Sequence, residues 1–289
     1  MKAAVLFPIL TSFVLTTCVS PLNAIPQETG ELIRLESHFS PFPHPDRFAG
    51  HVYGDSLYSF QKHYNDSSVA VFIPPGFKEG ANLDLLFYFH GWGNNIDTSL
   101  ARFALREQIA ASKRNVILVF PEGPRNAPDS FGGRLEEPGV FKDLVADVLQ
   151  QLQTMGKIRS TQAGRILLSG HSGAYRVIAQ ILNRGGLTDH ISEVYLFDAL
   201  YAMETKYTHW LDHYDGRLIN ITTPDGGTWD NTEGMEIDLS DWGIPHTRIE
   251  GNDVTVAQLR QERITLIYST LDHSEVINPY LRIFLESGQ

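Results

Sequence analysis

Short apolar runs alternate along this chain with stretches in which apolar residues return every three or four positions. The run Val69-Ala70-Val71-Phe72-Ile73 predicts a strand that stops at Pro74-Pro75-Gly76. Leu83 to Phe89 is almost continuously apolar, which predicts a strand buried on both faces. Asn115 to Phe120, Arg165 to Ser169, Glu193 to Phe197, Arg217 to Ile221 and Ile264 to Tyr268 predict further strands. Helical spacing lies between them. Leu100, Phe103, Ala104, Ile109 and Ala110 predict one helix, capped by Asp97 or Thr98. Phe141, Leu144, Val145, Val148, Leu149 and Leu152 mark a second helix, and Val177, Ile178, Ile181 and Leu182 a third. The segment from Ile25 to Asp46 shows neither period, and Pro41, Pro43 and Pro45 oppose helix, so it is expected to be irregular.

Apolar strands alternating with helices predict the α/β class, with a mostly parallel central sheet and helices on both faces. Right-handed crossovers gather the loops that follow the strands at one edge of such a sheet. Ligands bind outside those carboxyl ends, so the residues just after each strand are the ones to inspect.

After the Arg165 strand comes Gly170-His171-Ser172-Gly173-Ala174, and then a helix. This is the pattern G-x-S-x-G of a nucleophile elbow, with Ala174 in the last place. The serine must sit on a sharp strand-to-helix turn, and small neighbours keep that turn free of clashes. Helix N–H groups at the same place favour a developing negative charge. After the Leu83 strand comes His90-Gly91-Trp92-Gly93-Asn94-Asn95. Its glycines permit close backbone approach, so the N–H groups of Trp92 and Gly173 are the expected oxyanion donors. After the Ile264 strand comes Ser269 to Val276, in which His273 is the only imidazole, and it is the expected base. His171 is expected to point away from the serine, and His90 to order its loop.

The acid of a Ser-His-Asp triad must follow the serine and precede the histidine, at a strand end. Asp198 ends the strand after the elbow helix, where a carboxylate needs a partner such as an imidazole N–H. It is the preferred acid. Asp225, in Thr223-Pro224-Asp225-Gly226-Gly227, is the alternative, although this is also ordinary turn sequence. Asp272 adjoins His273 and is badly aimed to orient its ring. His209 and His213 stand at i, i+4, but Trp210 occupies the place where a zinc protease needs Glu. They are read as ordinary polar residues, and neither a metal nor a cofactor is expected. The loop Pro124 to Leu135 is a candidate substrate-facing loop with Arg125 and Arg134 as anchors, or else plain surface.

On Gly170-His171-Ser172-Gly173-Ala174, His90-Gly91 and His273, the chain resembles the α/β-hydrolase superfamily from about Val69 to Phe284. It is similar to secreted esterases and depolymerases of that superfamily. Most members carry the acid after the later strand, which favours Asp225; the strand after the elbow is a known variant in lipases. The resemblance implies ester cleavage through an acyl-enzyme, with a small-molecule or polymer acyl substrate. A peptidase or amidase with the same residues, or a non-catalytic binding protein of this fold, are the rival readings.

Composition narrows the class further. The 289 residues hold 24 Gly, 15 Pro and one Cys, with 42 % hydrophobic and 20 % charged residues. That excludes a disordered chain and a disulfide scaffold. A net charge of −11, with no basic patch, opposes nucleic-acid binding. Lys2 followed by an apolar stretch to Val19 reads as a signal peptide over residues 1–24, with small residues at Cys18, Ser20 and Ala24. Residues 25–289 are then a single domain with no membrane span. Leu15-Thr16-Thr17-Cys18 also resembles a lipobox, which would tether the protein through lipidated Cys18. The expected location is secreted or periplasmic. Asn65 and Asn220 lie in glycosylation sequons that are common by chance.

Overall fold

The computed structural model describes Met1 and residues 29–288. Residues 2–28, which hold most of the expected signal peptide and Cys18, lie outside the described residues. The chain begins with β1 (Glu31–Glu36), the hairpin β2 (His51–Tyr53) and β3 (Ser56–Tyr58), and the single turn α1 (Phe60–His63). Next come β4 (Ser68–Ile73), β5 (Leu83–Phe89), α2 (Ile96–Arg102), α3 (Leu105–Ser112), β6 (Ile117–Pro121) and α4 (Val140–Thr154). The second half runs β7 (Ala163–His171), α5 (Tyr175–Arg184), β8 (Ile191–Phe197), α6 (Glu204–His213), β9 (Arg217–Thr222) and α7 (Trp229–Asp241). It closes with β10 (Thr247–Glu250), α8 (Val256–Leu259), β11 (Ile264–Tyr268) and α9 (Ile277–Ser287).

Nine strands form one sheet in the order β1-β4-β6-β5-β7-β8-β9-β11-β10. Pairing is antiparallel on both sides of β4 and parallel from β6 onward. The alternation of β5 shows why its run is so apolar. Leu83, Leu85, Phe87 and Phe89 pack into the layer of α4 to α7, whereas Leu86 and Tyr88 pack into the layer of α2, α3 and α9. All seven predicted strands and the α4 and α5 helices are present.

Three expectations need correction. Residues 31–36 are not irregular but form β1, of which only Leu35 is buried. An edge strand paired on one side leaves Glu31, Arg34 and Glu36 to water, so it carries no apolar run. The helix expected around Leu100 to Ala110 is two helices, broken at Ala104, whose φ is 45°. Its cap is neither Asp97 nor Thr98 but Asn95, whose side chain accepts from the Thr98 N–H at 2.9 Å. The edge strand β10, with Ile249 alone buried, carries too short a pattern to be predicted.

Candidate active site

The ends of β5, β7, β8, β9 and β11 meet at one edge of the sheet. Ser172 follows β7 directly and opens the turn that leads into α5. Its φ of 55° lies in the left-handed region, which a non-glycine residue enters at a cost. The small residues around it have visible causes. A Cβ on Gly170 would lie 2.6 Å from the Ala174 Cβ and 2.7 Å from Ile178 Cδ1. A Cβ on Gly91 would lie 2.6 Å from the Ser172 Cβ, so the loop after β5 approaches the serine at backbone distance. A Cβ on Gly173 would strike the Trp92 indole, whose Nε1–H donates to Ser130 Oγ at 2.8 Å.

The loop carrying Gly91 and Trp92 is held from below. The His90 and Glu122 side chains are buried and paired, with Nε2 to Oε1 at 2.9 Å. Glu122 Oε2 accepts from the Ile96 N–H at 3.2 Å, and the Gly93 N–H donates to the Ala127 carbonyl. His90 therefore orders its loop, as expected.

His273 lies in the loop after β11, and its Nδ1–H donates to Asp198 Oδ2 at 2.6 Å. Asp198 sits immediately after β8, fully buried, with a φ of 47°. A buried carboxylate is costly unless it is hydrogen-bonded. Here the hydroxyls of Thr223 and Thr228 both donate to it, and the Thr223 N–H lies 3.4 Å away. The chain at Gly226 passes over the carboxylate so closely that a Cβ there would lie 1.6 Å from Oδ2.

Asp225 makes different contacts. Its Oδ1 accepts from the backbone N–H of His273 at 3.0 Å and lies 3.1 Å from Thr223 Oγ1, whose proton goes to Asp198. It holds the loop of His273 and does not touch the ring nitrogen. Both Asp residues thus belong to the cluster, one on the imidazole and one on its backbone. Asp272 is exposed.

Two neighbours were not foreseen as part of the site. Tyr201 donates to the Gly226 carbonyl and meets the His273 ring edge-on at 6.4 Å. Burial, and then the charge of Asp198, push its hydroxyl up to about 12, so the phenol stays protonated. His171 is buried, and its ring lies 4.6 Å from that of His273. No local sequence signal marks either residue, because both contacts join segments distant along the chain.

Arg125 pairs with Asp66 at 2.7 Å, and Arg134 donates to the His38 carbonyl. Both arginines tie the loop after β6 to the segment before β4, which fits the plain-surface alternative for this loop. What the loop brings to the site is Ser130, under Trp92. His209 and His213 stack at 4.0 Å on α6, and His213 Nδ1–H donates to the His209 carbonyl one helical turn back. Asn220 is buried and donates to Thr232, so its sequon is closed in the folded chain, whereas Asn65 is exposed.

The sheet order and the crossing helices define the α/β-hydrolase fold. No family model matches the chain, and no curated protein matches it. Solved structures do. A substrate-bound fluorophosphonate-binding serine hydrolase F from Staphylococcus aureus superposes with a TM-score of 0.54 at 11% identity, covering 90% of this chain and 99% of its own. A feruloyl esterase module from Clostridium thermocellum, complexed with sinapinate, gives 0.55 at 11%, covering 90% and 88%. An S-formylglutathione hydrolase from Staphylococcus aureus gives 0.53 at 11%, covering 89% and 97%. Among the described residues no helix is long and apolar enough to cross a membrane.

Proposed function

We propose that this chain is a secreted serine hydrolase that cleaves carboxylic esters through Ser172, His273 and Asp198. The observation that carries the reading is the 2.6 Å bond from His273 Nδ1 to buried Asp198 at the end of β8, the strand paired with β7, after which Ser172 takes a left-handed turn. That bond keeps the proton on Nδ1 and leaves Nε2 free to take the Ser172 proton as Oγ attacks the carbonyl. Asp198 then stabilises the imidazolium. The N–H groups of Gly173 and Trp92 receive the oxyanion, and one such donor is typically worth about 3 kcal/mol. His273 returns the proton to the leaving alcohol, and water attacking with His273 as base releases the acid.

The aromatic surface of Trp92, of Tyr53 edge-on to it at 5.2 Å, and of Tyr201 and Tyr175 surrounds this chemistry. It favours acyl compounds with an apolar or aryl portion, whether small or borne on a polymer. Feruloyl and sinapoyl esters are therefore first in a substrate panel. Secretion through segment 1–24, or tethering through Cys18, belongs to the same reading. Residues 25–289 act as one catalytic domain, with no metal or cofactor in these steps.

A fluorophosphonate probe is expected to label the protein at Ser172, located by peptide mass. In parallel assays, p-nitrophenyl esters and methyl ferulate should be cleaved faster than the matching anilides. An unlabelled, inactive folded protein would leave only the binding-protein reading, and faster anilide cleavage would make it an amidase. Gly226→Ala tests the carboxylate cradle. The added methyl displaces Asp198, and a misplacement near 1 Å lowers turnover by about a hundredfold. Wild-type kcat/KM in that variant would show that Asp198 need not be held there.

A further inference from the structure

His171 presents a buried polar atom without a partner. Its Nε2 lies 2.9 Å from the His273 carbonyl oxygen, which can only accept, so Nε2 carries the proton. Nδ1 is then a bare lone pair, and it is buried with no hydrogen-bond partner. An orphaned buried nitrogen needs a reason, because phenylalanine would fill the same space without it. The ring packs edge-on against Phe103 at 5.6 Å and lies along the His273 imidazole at 4.6 Å, tilted by 32°. What phenylalanine lacks is the donor to the His273 carbonyl.

We propose that His171 is a positioning residue for His273. Its Nε2–H holds the His273 main chain while its ring backs the imidazole, so that His273 Nδ1 stays on Asp198. The inference rests on the serine-hydrolase reading above. His171 immediately precedes Ser172, so one residue couples the nucleophile turn to the loop of the base. Asp225 holds the same loop through the His273 N–H, and the two contacts grip the peptide groups on both sides of one α-carbon.

Such a support must stay uncharged while its neighbour becomes an imidazolium. His273, Asp198 and Arg102 are the titratable or charged groups that act on His171. Burial first, and then the charge of His273, push its pKa down to about 4. The ring is therefore neutral wherever His273 works as a base, and its π-face meets the imidazolium without adding charge.

Two variants separate the parts. His171→Phe keeps a ring and loses the donor, whereas His171→Gln keeps a donor and loses the ring. The Phe variant is expected to lose about tenfold or more in kcat with KM little changed. Its acid limb in kcat/KM should move to lower pH, because a loosened Asp198 favours the imidazolium less. The Gln variant should regain part of the loss. Fluorophosphonate labelling rates across the same pH range supply a second readout.

If wild type is labelled and the Phe variant is labelled with the same rate and pH profile, His171 is mere packing and the proposal falls. If wild type is not labelled, it is the serine reading that falls. Nitrogen NMR of the wild-type chain needs no variant. It should show His171 neutral with the proton on Nε2 from about pH 5 to about pH 8. A charged ring, or a proton on Nδ1, overturns the proposal even if both variants fail to fold.

Discussion

Ser172→Ala is expected to lower ester turnover by about 10⁴- to 10⁶-fold, the range in which removal of a serine nucleophile falls. The methyl fills the space of the Ser172 Cβ, so Gly91 and the turn keep their contacts. Stability should change little, because Ser172 is only partly buried and its hydroxyl packs no core. Labelling by a fluorophosphonate should disappear together with p-nitrophenyl ester hydrolysis. Weak residual rates are expected, since the oxyanion donors remain. Full activity in the alanine variant would exclude the serine mechanism outright, whatever the fold.

Asp198→Asn should cost about 10⁴-fold in kcat, because the neutral amide no longer holds the imidazole in the right tautomer or stabilises its charge. Asp225→Asn should cost about tenfold or less, since an amide oxygen still accepts from the His273 N–H. The comparison is made at one pH on one ester, with thermal melts to confirm that both variants fold. The burial of Asp198 sets the ranking. Its carboxylate has no water to replace the bond to Nδ1, whereas Asp225 is exposed. The opposite ranking would place the catalytic acid on the later strand and leave Asp198 as a structural carboxylate held by Thr223 and Thr228.

The turn at Ser172 is legible because its requirements are local. A serine in a left-handed conformation between a strand and a helix needs small neighbours within two residues, and Gly170, Gly173 and Ala174 supply them. His273 was legible because it is the one imidazole after the last strand. The acid is legible only as a preference for Asp198 over Asp225. Asp198 and Asp225 both end strands before His273, and β8 and β9 lie side by side. Which carboxylate meets the ring depends on Thr223, Gly226 and Thr228 folding over Asp198, a contact spanning 25 to 30 positions. The break at Ala104 and the edge strand β1 escaped notice for a related reason. Tertiary packing and one-sided pairing produced both, without any apolar period to announce them.

His171 and Tyr201 mark the limit most clearly. Beside the serine, His171 read as a residue turned elsewhere, yet the loop after β11 returns to meet it. Tyr201 sits in an irregular stretch between β8 and α6, and only the closure of the 223–228 loop brings it against Gly226 and the His273 ring. For Arg125 and Arg134 the sequence leaves a substrate anchor and plain surface both open, and in the folded chain Arg125 pairs with Asp66 and Arg134 donates to the His38 carbonyl.

The chain's own pattern carries a mostly parallel sheet, seven of its nine strands, and the placement of Ser172 and His273 just after strands. Hydrophobic period and turn sterics act over a few residues and are written in order along the chain. Tertiary structure alone decided that Asp198 meets the imidazole, that Asp225 meets its backbone, and that His171 lies beneath it. Those contacts depend on where separate strands end relative to one another, which the register of the assembled sheet sets and no local pattern records.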